Sequence, residues 1–226
     1  YASIKVTGKD RFDQVRTWWH QQLETFSVSN AVHGSGTGPV LFTSFSFDRN
    51  EESIAVIPRV IIGQKGENSW ITWIGDDAQP AIPETAPDFV KQSFEWHQGT
   101  LTEAQWETRV AQAIAKIDKS EIDKVVLARD LIATTDKAID VRPVLNKLAA
   151  NYPATWVFSV DGLIGATPEL LLRLSRGMVT SRVLAGTIPK TGDDARDLAL
   201  SGSLARSSKD LEEHEYAVRS VAEALE

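Results

Sequence analysis

The chain has 226 residues, 42% of them hydrophobic and 24% charged, which is enough apolar material for one large domain or two small ones. Its net charge of -7, with no stripe of lysine and arginine, speaks against nucleic-acid binding yet leaves room for a small anionic substrate held by a few local cations. The absence of cysteine excludes disulfides and thiolate chemistry, no apolar run is long enough to cross a bilayer, and "YASIKVTGKD" lacks the apolar core of a signal peptide, so a cytoplasmic protein with no membrane partner is expected.

Taken in chain order, the first periodic stretch predicts an amphipathic helix from Asp10 to about Phe26, with Phe12, Val15, Trp19, Leu23 and Phe26 on one face. "GSGTG", Gly34 to Gly38, reads as a flexible connection to a strand in "PVLFTSFSF". It matches neither the dinucleotide fingerprint nor the nucleotide-binding loop, which needs a following lysine and hydroxyl residue. Strands are expected at Ser53 to Ile57 and Arg59 to Gln64, the second pairing with "WITWIG" through the polar turn "KGENS". Asp76 to Asp88, with three prolines and little periodicity, reads as a linker or long surface loop. "TEAQ" at Thr102 fits a capping box for a helix with Trp106, Val110, Ala113 and Ile117 on one face.

"DKVVLARD" then predicts a buried strand from Lys124 to about Thr134. Asp140 caps a short helix to about Ala150, "ATWVFSV" is a strand, and "ELLLRLSRGMVTSRVLAGT" is a hairpin turning at "SRG". Helices around Asp194 to Leu204 and from Ser208 close the chain, and Glu226 follows no helix stop signal, as if the chain were cut inside a helix. Hairpins without strict strand-helix alternation define an α+β class: mainly antiparallel sheet with flanking helices.

Four places could carry chemistry. Lys124 shares a strand face with Val126 and Ala128, and in a cleft its amine would be desolvated and suited to general-base work, although this segment alone favours a solvated lysine at a strand start. Glu169, in "GATPELLLRL", is placed either for general-acid work at the mouth of a buried strand or simply in a turn. "VLAGT" ends a strand, and Gly186 there would let a ligand reach backbone N–H groups, although glycine also serves strand ends for geometry alone. Glu213 lies on a stripe with Ala217, Ser220 and Ala224, where a carboxylate can approach another element as a hard-cation ligand would, while Glu212 and Glu215 read as solvated. The histidines, His20, His33, His97 and His214, form no zinc-type pair.

In order, "DKVVLARD", "GLIGATPELLLRL", "SRVLAGTIPKTG" and "SSKDLEEHEYAV" resemble the chorismate-utilising enzymes, most closely isochorismate synthases, over about Asp123 to Val218. The resemblance implies an anthranilate synthase component I-like fold, incomplete in this chain. Residues 1–100 correspond to the family's variable front part and 101–226 to the first part of its catalytic region. It also implies that Lys124 activates water for attack on C2 of chorismate and that Glu169 protonates the departing C4 hydroxyl. Ala185, Gly186 and Thr187 would lie against the substrate, and Glu213 would bind Mg2+. Lys124 speaks against the ammonia-using branch, which carries glutamine there. Salicylate synthases keep the lysine and are the alternative, as is a non-catalytic chorismate-binding module. "TIPKTG" departs from the family's "PRG", so Lys190 keeps a charge without arginine's two-pronged geometry. Family members continue past the "EEHE" helix to a second metal-binding glutamate, substrate-binding basic residues and further strands. From this an inactive isolated chain, with self-association through exposed edges, is expected.

Overall fold

The computed structural model describes residues 1–75, 78, 79, 81 and 92–225. The expected linker at 76–88 lies almost wholly outside the described residues. In chain order the elements are β1 (Ala2–Val6), α1 (Arg11–Glu24), β2 (Phe42–Ser44), β3 (Ser53–Ile57), β4 (Val60–Lys65), β5 (Asn68–Trp73), β6 (Glu95–Gln98), α2 (Glu103–Asp118), β7 (Leu131–Thr134), α3 (Arg142–Asn151), β8 (Trp156–Val160), β9 (Leu163–Thr167), β10 (Leu170–Ser175), β11 (Met178–Arg182), α4 (Asp194–Leu204) and α5 (Ser208–Leu225). Every strand pairing is antiparallel, so the α+β reading holds among the described residues.

Two compact units divide the chain: Tyr1–Ile82 with Leu145–Glu226, and Pro83–Val144. The 1–100 and 101–226 division came from family resemblance, and the compact units part at other positions.

In the first unit β3 is the centre of a three-stranded sheet, with β1 and β2 at its edges. Its alternating pattern buries Ser53, Ala55 and Ile57, as expected for a strand with one face on a core. Val6, Val15 and Ala55 form that core, with Ile4, Trp18, Leu41 and Phe45 packed around it. Val15 therefore anchors α1, while Phe12 of the predicted face is 54% exposed and packs on Phe45 at 4.3 Å between ring centroids.

Three hairpins complete the strands of this unit. Two turn on adjacent residues with positive φ, Asp161 (45°) with Gly162 (87°) and Arg176 (52°) with Gly177 (77°), which matches the right-handed twist of the flanking strands. In β4–β5, Lys65 pairs with Asn68 across a turn begun by Gly66 at φ 61°. Trp70 lies over Gly63 across that ladder, and Phe158 over Gly165 across β8–β9, so each glycine yields the space that an aromatic ring fills.

The "GSGTG" segment is not a loose connector. Asn30 Nδ2 donates to the Thr37 carbonyl and to Thr37 Oγ1, both at 3.1 Å, and Trp70 Nε1 donates to the Gly36 carbonyl at 3.1 Å. Thr37 is 6% exposed as a result.

The second unit holds β6 paired with β7, and α2. The capping box is present: Gln105 N donates to Thr102 Oγ1, and Thr102 N donates to Gln105 Oε1 at 2.9 Å. The predicted buried strand from Lys124 is corrected. Regular pairing begins only at Leu131, and Val125, Val126 and Leu127 are 41%, 79% and 37% exposed. The ladder stops at Gln98 because Thr100 turns away and donates its N–H to Asp130 Oδ1 at 2.9 Å, and a Cβ at Gly99 would collide with Asp130.

Candidate active site

Glu169 follows the β9 terminus, its backbone N–H donating to Thr167 Oγ1 at 3.2 Å. It is exposed, and the strand after it is not buried either: Leu171 and Leu174 are 81% and 70% exposed, contrary to expectation. The ladder still sets its address. Leu170 pairs with Arg182, so Glu169 stands at the end of the hairpin from which β11 runs into the loop 183–192.

That loop holds Ala185 and Gly186, both half-buried, and the exposed Thr187. Gly186 has φ 82°, a conformation in which an L side chain is strained. A Cβ there would meet Asp210 Cβ at 3.1 Å, Asp210 Oδ1 at 3.2 Å and Leu204 Cδ1 at 3.2 Å. The missing side chain thus seats the loop on the end of α4 and the first turn of α5.

Glu213 is half-buried on α5, three residues after Asp210 and so on the same side of the helix. Glu212 and Glu215 are exposed, as predicted, and Glu215 pairs with Arg219 at 3.2 Å. The first unit therefore gathers the Gly186 loop and the Glu213 helix side by side, with Glu169 at the hairpin end that feeds the loop. Lys124 is exposed and belongs to the second unit.

A residue that the sequence reading passed over holds the other end of the loop. Asp197, in the first turn of α4, accepts from Thr191 N and Thr191 Oγ1, both at 2.8 Å, and from Gly192 N at 3.3 Å. The Thr191 amide first, then its hydroxyl, hold the Asp197 carboxyl below the usual carboxylate range. Asp193 caps the same helix by accepting from Arg196 N at 2.8 Å. The "TGDDARD" string announces a helix start, but which carboxylate caps and which clasps is decided by the loop path.

Glu213 offers the hard oxygen donor that magnesium prefers. Among the described residues no group of three or more acidic or histidine side chains could hold a metal ion.

An antiparallel α+β chain whose glycine loop and carboxylate-bearing helix come together is compatible with a small-molecule enzyme. Comparison with known proteins settles the family: the chorismate-binding enzyme model matches residues 1–226, and the chain belongs to that family. It is 28% identical over 250 residues to the isochorismate synthase MenF of Bacillus subtilis, covering 96% of this chain and 53% of that protein. It is 32% identical over 192 residues to the isochorismate synthase EntC of Escherichia coli K12, covering 83% of this chain and 46% of that protein. A salicylate biosynthesis isochorismate synthase of Pseudomonas aeruginosa is 33% identical over 128 residues, 54% of this chain and 26% of that protein. The chain thus spans about half the length of the first two. No solved structure matches it.

Proposed function

We propose that the protein carrying this chain isomerises chorismate to isochorismate. The observation that carries the reading is the family match over the full chain together with relatives named isochorismate synthases. The four motif segments supply residues for the chemistry. Lys124 takes a proton from water as its oxygen bonds to C2, the ring double bonds shift, and the C4–O bond breaks as Glu169 gives its proton to the leaving hydroxyl. Proton exchange with solvent restores both residues, so atoms balance and the net change is a hydroxyl moved from C4 to C2.

Ala185, Gly186 and Thr187 would line the substrate. Magnesium, when bound, would neutralise a ring carboxylate, with Glu213 as one oxygen donor and substrate, water or further carboxylates completing the set. Among the described residues no helix is long and apolar enough to cross a membrane. Self-association through exposed strand edges belongs to the same reading.

The test is a chorismate assay with magnesium on the continuous protein, products separated, with Lys124→Ala alongside. Isochorismate lost in the variant supports the proposal. Salicylate plus pyruvate would replace it with salicylate synthesis, and chorismate binding without turnover would replace it with a binding module.

A further inference from the structure

The loop 183–192 is held at two places, on α4 and α5 at Gly186 and on α4 alone at Thr191 and Gly192. At Gly186 it is seated by close approach to Leu204 and Asp210, and at Thr191 and Gly192 it is tied by three hydrogen bonds to one carboxylate of α4. Only Thr187 to Lys190 lie between these points, a span too short to wander when both ends are fixed. We propose that Asp197 is a positioning residue, whose clasp on Thr191 and Gly192 fixes the loop so that Ala185, Gly186 and Thr187 stand at a set place beside the Glu213 face of α5. This rests on the substrate-lining reading of those three residues.

The geometry favours a clasp over a simple helix cap. Asp193 already caps α4, so Asp197 is not needed for that task, and its partners all lie in the loop, upstream of the helix. A carboxylate accepting two backbone N–H groups and a hydroxyl is matched to negative charge, so an amide in its place would lose acceptor strength and present an N–H₂ to donors.

The experiment has two independent arms. In this chain, amide hydrogen exchange is followed at Thr191 and Gly192 in wild type, Asp197→Asn, Thr191→Ala and Thr191→Ser, with the Arg196 amide as an internal control held by Asp193. In the continuous enzyme carrying the same changes, KM for chorismate and kcat are measured. The expected result is exchange at least tenfold faster at Thr191 and Gly192 in Asp197→Asn, with Arg196 unchanged. KM should rise at least fivefold with kcat within twofold, the effect should be weaker in Thr191→Ala, and Thr191→Ser should restore wild-type behaviour.

Unchanged exchange at both amides would overturn the clasp. Faster exchange with unchanged KM would overturn its role in positioning. Faster exchange at Arg196 as well would also overturn it, by making Asp197 a general stabiliser of α4. If the wild-type enzyme does not turn over chorismate, the functional reading falls, while the exchange arm still decides whether Asp197 holds the loop.

Discussion

Lys124 and Glu169 are the two residues on which the proposed proton transfers depend, and they occupy different compact units of the chain. If the protein carrying this chain has the proposed activity, Lys124→Ala and Glu169→Gln are each expected to lower kcat by about 10²- to 10⁴-fold, the usual contribution of a positioned acid or base, measured by isochorismate formation. Single residues also set the acid limb of stability. Thr191 holds Asp197, Thr100 holds Asp130 and Arg142 holds Asp140 below the ordinary carboxylate range. Each binds a proton less readily folded than unfolded, so its contribution is complete above about pH 4 and disappears as pH falls through the folded value. The urea midpoint is expected to hold between about pH 5 and 7 and fall below about pH 4, with a shallower fall in Asp197→Asn. At the alkaline end Lys5, raised chiefly by its hydrogen bond to Glu52, contributes until pH climbs through its folded value.

At the scale of elements, turns and caps are local devices with local costs. Thr102→Ala removes the hydroxyl that accepts the Gln105 amide and is expected to cost about 1 kcal/mol of stability, read from the denaturant midpoint. Gly177→Ala places an L side chain at φ 77° and is expected to cost roughly 1 kcal/mol, whereas Ala would meet no atom within contact distance there, so the loss is purely conformational. Gly186→Ala carries both burdens, the positive φ and the contacts with Asp210 and Leu204, and should cost more than Gly177→Ala in the same assay.

For the molecule as a whole, the described core is small and much apolar surface is exposed. Leu171, Leu174 and Met178 of the β10–β11 hairpin are 81%, 70% and 70% exposed, on a sheet whose edges pair with no further strand among the described residues. Such a hairpin is marginal in water unless something packs on it. Sedimentation velocity on the purified chain is expected to show association that grows with concentration, and Leu171→Lys with Leu174→Lys is expected to reduce it. A strictly monomeric chain over the same concentrations would remove self-association from the proposal.

By itself, the sequence determined what depends on neighbours along the chain. Period-2 and period-3.6 patterns placed β3, α1 and α4, "SRG" marked a hairpin turn, Thr102 with Gln105 made a capping box, and the ordered motifs pointed to the family. Tertiary structure decided what depends on a partner distant in sequence. The apolar run after Lys124 has the composition of a buried strand, yet among the described residues it pairs with no strand, and the β6–β7 ladder ends where Thr100 turns to Asp130. β6, with polar residues and no clear alternation, becomes a strand only through β7. The seat of Gly186 on Asp210 likewise requires a loop path that no local pattern encodes, since the two meet through chain reversal and not through spacing.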